Sequence, residues 1–290
     1  MKVVRTKAEL RAELLPARRD GSTIGLVPTM GALHDGHVAL LAAARERCDV
    51  VVMSLFVNPA QFGPGEDLDA YPREEGRDVE LAAGAGVDLV FAPGVAEVYP
   101  EGFTTVVEVG GDLTAVLDGD PSRRGPQHFR GVTTVVAKLL NMVGPGEVFM
   151  GQKDAQQAIV IRRMVADLDF PVEVVTVPTV RQPDGLALSS RNAYLSEDER
   201  SRATALHRAL ETARTTAATG RPLAEALESA RAELDGAQIE PEYIEARDAA
   251  SLEEVQSFNG RPVLIALAAR VGRARLIDNV VIEGSRRQGG

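Results

Sequence analysis

Val27-Pro28-Thr29-Met30-Gly31-Ala32-Leu33-His34-Asp35-Gly36-His37 follows an apolar run, Ile24 to Val27, and precedes a helical pattern from Val38 to Arg47. The stretch reads as strand, glycine-bearing turn, helix. Such a junction gathers unpaired backbone N–H groups and the positive end of a helix dipole at one point, which suits an anion such as phosphate. His34 and His37, three residues apart, can both face a ligand there. Each can donate to phosphate oxygens, and a near-neutral pKa lets an imidazole become cationic beside negative charge. A zinc pair is the competing reading, but the chain has only two further histidines, His128 and His207, one cysteine and no His-Glu-x-x-His pattern.

Outward from that loop, strand and helix patterns alternate. Val3-Val4 precedes Thr6-Lys7-Ala8-Glu9, a capping box opening a helix that Pro16 or the Arg18 to Gly21 cluster would end. In the helix after His37, Val38, Leu40, Leu41 and Ala44 share the inner side. Asp49 to Val57 is a continuous apolar run of the kind found in a strand buried on both faces. The Asn58 to Gly63 loop, a helical segment up to Gly84 and a strand over Val87 to Phe91 follow. Phe103 to Val109 is expected to add a strand, and Leu113 to His128, without a period, to be a mobile surface loop. Helices are expected over Gly131 to Val143 and Ala155 to Leu168, with strands over Glu147 to Met150 and Val172 to Val180.

This alternation predicts an α/β fold, a Rossmann-like doubly wound parallel sheet with ligands at the carboxyl ends of its strands. No G-x-x-x-x-G-K-[ST] or strand-following G-x-G-x-x-G occurs, which disfavours a kinase-like P-loop or a dehydrogenase site. Beyond Arg181 to Gly185 the pattern changes. A second capping box, Ser196 to Glu199, leads a helix to about Thr216, and Gly220-Arg221-Pro222 precedes another to about Leu234. Strand-like runs at Tyr243 to Ala246, Val263 to Ala269 and Ala274 to Ile282 complete a smaller α+β domain. The expected domains are therefore 1–183 and 184–290, the second acting as a lid, with Arg286 to Gly290 disordered.

Composition narrows the function. The 290 residues, 44% hydrophobic, can bury a full core, and 32 basic against 42 acidic residues give a net charge of −10. That balance speaks against a general nucleic-acid or anionic-membrane binder, so an anion site must be local. Cys48 is the only cysteine, which excludes an intrachain disulfide and suits a reducing compartment, the cytoplasm. No export signal or membrane-length apolar run is visible.

Four polar constellations fall in the predicted loops: His34 with His37; Asn58 with Gln61; Gly151-Gln152-Lys153-Asp154 with Gln157; and Ser189-Ser190-Arg191. Taken singly, the third could be a buried lysine beside a helix-capping Asp154, and the fourth a surface turn. Together they supply the donors a triphosphate needs if its α-phosphorus is to be attacked. P-T-M-G-A-L-H-D-G-H (28–37), N-P-A-Q-F-G (58–63), H-F-R-G-V-T-T-V-V-A-K-L-L-N (128–141), G-Q-K-D-A-Q-Q (151–157) and L-A-L-S-S-R-N-A-Y-L (186–195) resemble, in order, the motifs of the pantoate–β-alanine ligases, nucleotidyltransferases with a H-x-G-H type motif. The similarity runs from about Val3 to Leu195 and continues more weakly to the end.

The resemblance implies a two-step ligation with ATP as co-substrate and Mg²⁺. Pantoate attacks the α-phosphate to give pantoyl adenylate and pyrophosphate; the β-alanine amine then attacks the acyl carbon and releases AMP. It also implies site residues. Met30, Gly31, Ala32, Leu33, His34, Asp35, Gly36 and His37 hold ATP, the histidines on its phosphates and His37 as proton donor. Gly151, Gln152, Lys153, Asp154, Val180, Leu188, Ser189, Ser190 and Arg191 complete the nucleotide site, with Lys153 and Arg191 on the phosphates and Asp154 on the ribose. Gln61 and Gln157 bind pantoate, and Asn58 with Gln61 lies near β-alanine. A homodimer is implied too.

No metal site built from protein side chains is expected; phosphate oxygens and water should hold the magnesium. Asp78 is a second candidate contact, set against a solvated helix face. Gln152 stands where the family often has glutamate, Ala155 where an aromatic residue is frequent, and Ala60 at a variable apolar position. Two other readings compete: a different adenylyltransferase on the same scaffold, and a non-catalytic nucleotide-binding module. The neutral amides of Gln61 and Gln157 suit a hydroxy acid better than a second phosphorylated substrate.

Overall fold

The computed structural model describes residues 1–64, 66, 68–258 and 260–283; the Arg286 to Gly290 tail lies outside them. Two compact units emerge, Met1–Gln152 with Val160–Pro178, and Lys153–Ile159 with Thr179–Gly290. Among the described residues no helix is long and apolar enough to cross a membrane.

In the first unit six strands form one parallel sheet: β1 (Lys2–Val4), β2 (Ile24–Thr29), β3 (Val50–Leu55), β4 (Leu89–Phe91), β5 (Glu147–Gly151) and β6 (Glu173–Val177). The order is β1-β4-β3-β2-β5-β6. From β2 the chain builds through β3 to β4 on one side, then returns to β2's other edge as β5. That reversal is the topological switch point, where such sheets bind ligands beyond the strand carboxyl ends. The loops after β2, β3 and β5 all leave from those ends.

Helices α1 (Lys7–Asp20), α2 (Asp35–Arg47), α3 (Glu75–Gly84), α4 (Val95–Val98), α5 (Pro126–Val143) and α6 (Ala155–Asp167) connect the strands. The Thr6–Glu9 capping box forms, and α1 runs through Pro16 to end at Gly21, whose φ of 73° only glycine adopts readily. Leu40, Leu41 and Ala44 of α2 pack on Val27, Val51, Met53, Val90 and Phe149 of the sheet. Val51 and Met53 alternate onto this face because strand side chains repeat every two residues.

Two expectations for the first unit are corrected. Residues 103–110 form no strand. Val107 finds helix side chains instead: its N–H donates to Thr134 Oγ1 (3.0 Å), and Thr133 Oγ1 donates to its carbonyl (2.6 Å). Leu113 to His128 is not a featureless loop. It holds 3₁₀ turns at Asp112–Thr114 and Leu117–Gly119, buries Leu117, and enters α5 at Pro126. The Gly125 N–H donates to the Asp118 carbonyl, closing the segment on itself.

In the second unit, α7 (Glu197–Ala203), α8 (Ala205–Ala218) and α9 (Leu223–Gly236) precede an antiparallel sheet of β7 (Pro241–Asp248), β8 (Val263–Val271) and β9 (Ala274–Ile282), with β8 central. The Ser196–Glu199 capping box opens α7. The expected single helix to Thr216 is two, divided at Thr204. Ala209 and Ala213 of α8 and Ala226 and Ala230 of α9 are fully buried in one core with Ile265 and Leu267 of β8. Small side chains on both helices let their backbones approach closely.

One close approach carries a prediction. A Cβ at Gly131 of α5 would lie 2.2 Å from the Ala60 carbonyl oxygen, an overlap with backbone that no rotamer relieves. Alanine should add about 1 kcal/mol of helix propensity at this position. Overpacking of this kind costs about 1–3 kcal/mol, and a backbone clash lies at the upper end, so Gly131→Ala is expected to lower the urea midpoint. An unchanged or raised midpoint would contradict the packing.

Candidate active site

The loop after β2 is shaped by a side chain distant in sequence. Thr29 Oγ1 donates to the Ser54 carbonyl across the β2–β3 pair (2.8 Å) and accepts the Gly31 N–H (3.4 Å). Asp78, on the first turn of α3 and almost fully buried, accepts the next two amides: Ala32 N–H on Oδ2 (2.9 Å) and Leu33 N–H on Oδ1 (2.7 Å). A Cβ on Gly31, whose φ is +88°, would meet Asp78 Oδ2 at 2.8 Å and Leu55 Cδ1 at 2.9 Å. Ala32 follows in the left-handed region, at φ 52°. This strained conformation persists because the carboxylate fixes the amides on both sides of it.

At the end of this loop the two histidines cap α2 in place of the usual serine and glutamate. His34 Nδ1 accepts the Gly36 N–H (3.1 Å), and His37 Nδ1 accepts the His34 N–H (3.3 Å). Their ring centroids are 4.2 Å apart. Since each Nδ1 is an acceptor, the proton of each neutral ring sits on Nε2. Both rings thus become Nε2–H donors at a helix N-terminus. Met30, Ala32, Gly36 and the histidines are partly accessible, Gly31 and Leu33 are buried, and Asp35 is exposed.

Asn58 and Gln61 lie after β3, around a 3₁₀ turn at Pro59–Gln61, and both are buried. Asn58 Oδ1 accepts from the Tyr99 hydroxyl (2.8 Å) and the Ala60 N–H (3.3 Å); its Nδ2 donates to the Gly131 carbonyl and to Gln61 Oε1, both at 3.1 Å. Its hydrogen-bonding capacity is therefore taken up internally. The same bonds set the polarity of Gln61: its oxygen faces Asn58, which leaves Nε2 as the donor for a ligand. Gly151, the third element, ends β5.

The remaining predicted residues are placed in and around the second unit. Gln152, Lys153 and Asp154 form a 3₁₀ turn; Lys153 Nζ lies 3.5 Å from Asp154 Oδ1, and the Lys153 carbonyl accepts from Asn279 Nδ2 (3.0 Å). Gln157 is half-buried on the first turn of α6, after the buried Ala155 and Gln156. Val180 and Leu188 face each other in a hairpin, the Leu188 N–H donating to the Val180 carbonyl (3.0 Å). Arg181 anchors this hairpin to β9 through a two-point pair with the buried Asp278, at 2.6 and 2.9 Å. Ser189 caps the following 3₁₀ turn, Ser190–Tyr194, by accepting the Arg191 N–H. Arg181, Asp278 and Asn279 support this region without figuring in the motifs.

Asp78 and His128 were the functional candidates least visible in sequence. Asp78 is neither solvated nor a spare ligand, since both its oxygens hold the β2–α2 loop. The signal was its position on one helical stripe with Leu81 and Ala82, where a charge needs a buried partner. His128, on the stripe of Val132 and Val135, is 7% exposed. Burial, and then the neighbouring Arg124, push it down to about 4, so it is neutral. Cys48 is buried and pushed up to about 11, chiefly by burial, and is no nucleophile. Among the described residues no group of three or more His, Cys, Asp or Glu could hold a metal ion.

Fold and loops together define a Rossmann-like α/β protein with a pair of histidines capping a helix at its switch point. The sequence profile of the pantoate-beta-alanine ligase family matches residues 2–281, and the chain belongs to that family. It is 54% identical over 285 residues to the pantothenate synthetase of Moorella thermoacetica, covering 98% of this chain and 99% of that one. The crystal structure of pantothenate synthetase from Thermus thermophilus is similar with a TM-score of 0.90 at 50% identity, covering 97% and 99% of the two chains. A Francisella tularensis pantoate-beta-alanine ligase, in a structure described as complexed with beta-gamma ATP and beta-alanine, gives 0.80 at 32% identity and covers 97% of each chain.

The neutral His128 makes acid stability testable. An unfolded chain takes up this proton near pH 6.5, whereas the native fold resists it until about pH 4. Its contribution to stability is thus present above pH 6.5 and lost as pH falls from 6.5 towards 4, by about 3 kcal/mol. Urea unfolding at pH 7 and pH 4 should show His128→Asn losing less stability than the natural chain. Equal losses would contradict the buried neutral imidazole.

Proposed function

We propose that the chain condenses pantoate with β-alanine at the expense of ATP, through a pantoyl adenylate. The observation that carries this reading is the pair of Nε2–H donors at His34 and His37, set at the sheet's switch point by backbone bonds to each Nδ1. A pantoate carboxylate oxygen attacks the α-phosphorus of ATP, and the bond to the β-phosphate oxygen breaks to release pyrophosphate. The β-alanine amine then attacks the acyl carbon, AMP leaves with the electron pair of the acyl–oxygen bond, and the nitrogen loses its proton.

Carboxylate and triphosphate repel each other, so the first need is neutralisation and the second is alignment. In this reading the Met30–His37 loop carries ATP, and His34 and His37 donate to its phosphates, His37 in its neutral form stabilising the charge on the leaving phosphate by a hydrogen bond rather than by giving up its proton. Lys153 and Arg191 act on the same phosphates, Asp154 on the ribose, and Gly151, Gln152, Val180, Leu188, Ser189 and Ser190 on the rest of the nucleotide. Gln61, through Nε2, and Gln157 hold pantoate. Asn58, internally saturated, positions Gln61 beside the amine's approach.

Magnesium accompanying ATP fits these residues as an ion held by phosphate oxygens and water, because Asp78 is already committed to two amides; bound there, it would withdraw charge from the phosphates. The single buried cysteine agrees with a cytoplasmic setting. A homodimer is supported by the open β6 edge, where a groove of about 500 Å³ is lined by Val165, Phe170, Val172 and Val174 among others; sedimentation at the mass of one chain would count against it.

With ATP and pantoate alone, a burst of pyrophosphate equal to the enzyme is expected; adding β-alanine should give AMP and pantothenate in equal amounts. Pyrophosphate release with another acceptor but not with pantoate would sink the proposal. His37→Ala and Lys153→Ala should each lower kcat/KM by about 100-fold or more. Losses below about threefold in both would favour a mere binding module.

A further inference from the structure

Residues 58–64 and Glu66 are bonded at three points to the start of α5 and the turn before it. Asn58 Nδ2 donates to the Gly131 carbonyl at 3.1 Å. One turn earlier, His128 Nδ1 lies 2.8 Å from the Gln61 carbonyl oxygen. Just before the helix, Arg124 pairs with Glu66 through two bonds, Nε to Oε1 (2.9 Å) and Nη2 to Oε2 (3.1 Å). Glu66 Oε2 also accepts the Gly63 N–H at 3.2 Å, so the carboxylate is tied to the loop it terminates.

Arg124 does more than hold Glu66. Its Nη1 lies 3.1 Å from His128 Nε2. A guanidinium has donors only, so Nε2 must be the acceptor, and the imidazole proton must therefore be on Nδ1. That is the one tautomer able to donate to the Gln61 carbonyl. The opposite tautomer would set a lone pair against the carbonyl oxygen and an N–H against the guanidinium. His34 and His37 carry their protons on Nε2; His128 carries its proton on Nδ1. Different neighbours impose the two arrangements.

We infer that His128, its tautomer fixed by Arg124, is a positioning residue: it holds the Gln61 backbone so that the Gln61 amide meets the hydroxy acid. The inference rests on the reading that Gln61 binds pantoate. His128 touches neither substrate nor nucleotide in this account; its Nδ1 bond goes to the carbonyl of Gln61, whose own Oε1 is fixed by Asn58. Backbone and side chain of Gln61 are thus fixed from α5 by separate bonds, the second through Asn58 and Gly131. Loss of the His128 bond should weaken capture of pantoate and leave ATP binding alone.

The experiment compares His128→Ala, His128→Asn and His128→Gln in the full chain, measuring KM for pantoate and for ATP. The amide nitrogen of asparagine can occupy the place of Nδ1, whereas that of glutamine falls near Nε2. His128→Ala and His128→Gln should raise the pantoate KM by about fivefold to tenfold, the range set by one lost hydrogen bond, with the ATP KM within about twofold. His128→Asn should stay within about threefold of the natural chain in both. Equal rises in both constants, or an asparagine variant as impaired as glutamine, would overturn the proposal; that comparison stands even if the alanine variant fails to fold.

Gln61→Ala separates the two levels of the argument. If it leaves the pantoate KM unchanged, the assignment of Gln61 fails and the inference with it. If it raises that KM while His128→Gln does not, only the positioning role is lost.

Discussion

The carboxylate of Asp78 is the constraint on which the site depends. It is almost fully buried and accepts the amides of Ala32 and Leu33. Without such an acceptor, the left-handed Ala32 and the two inward-pointing N–H groups would make the loop after β2 an unfavourable conformation. With it, the chain turns sharply from the end of β2 into α2, whose N-cap and third residue are histidines with their Nδ1 atoms already engaged. Orientation of the donors is settled before any ligand arrives. Such preorganisation is what electrostatic stabilisation of a phosphate transfer requires.

The same principle recurs with different chemistry in the loop after β3. There Tyr99, Ala60 and Gly131 settle the orientation of the Asn58 amide, and Asn58 settles that of Gln61. This network leaves one amide donor, Gln61 Nε2, for the role proposed above. In the second unit, the Arg181–Asp278 pair fixes the hairpin from which Ser189 to Arg191 follow. Gln61, the β2–α2 loop and the hairpin are thus each held by a partner distant in sequence or in a neighbouring turn. Removing such a partner disturbs binding through geometry, an effect distinct from loss of charge.

Much of this was legible in the sequence. Alternating apolar runs and helical stripes gave the parallel sheet, and the Thr6–Glu9 and Ser196–Glu199 boxes marked helix starts because capping is decided within four residues. Local signals failed where a distant partner decides the outcome. Phe103 to Val109 has a strand's composition, yet at its middle Val107 is bonded to Thr133 and Thr134 of a helix. Asp78 sits among Glu74, Glu75 and Glu80, which are exposed, so its charge resembled theirs; only the fold brings the β2–α2 loop to it. His128 could be seen on an apolar stripe, but its tautomer is set by Arg124 from the turn before the helix. Lys153 and Arg191 were recognisable from the ordered motifs, whereas Asp278 and Asn279 offered no local pattern of their own.

The proposed chemistry depends most on two imidazoles, His34 and His37, carrying their protons on Nε2 and presenting them to a phosphate. Two-bond ¹H–¹⁵N spectra of the histidine rings, recorded at neutral pH while a non-hydrolysable ATP analogue is added, observe this directly. The predicted result is an unprotonated Nδ1 and a protonated Nε2 in both rings of the free protein, with both Nε2 resonances moving as the nucleotide binds. Protonated Nδ1 atoms in the free protein, or Nε2 resonances that stay fixed at saturating nucleotide, would contradict it.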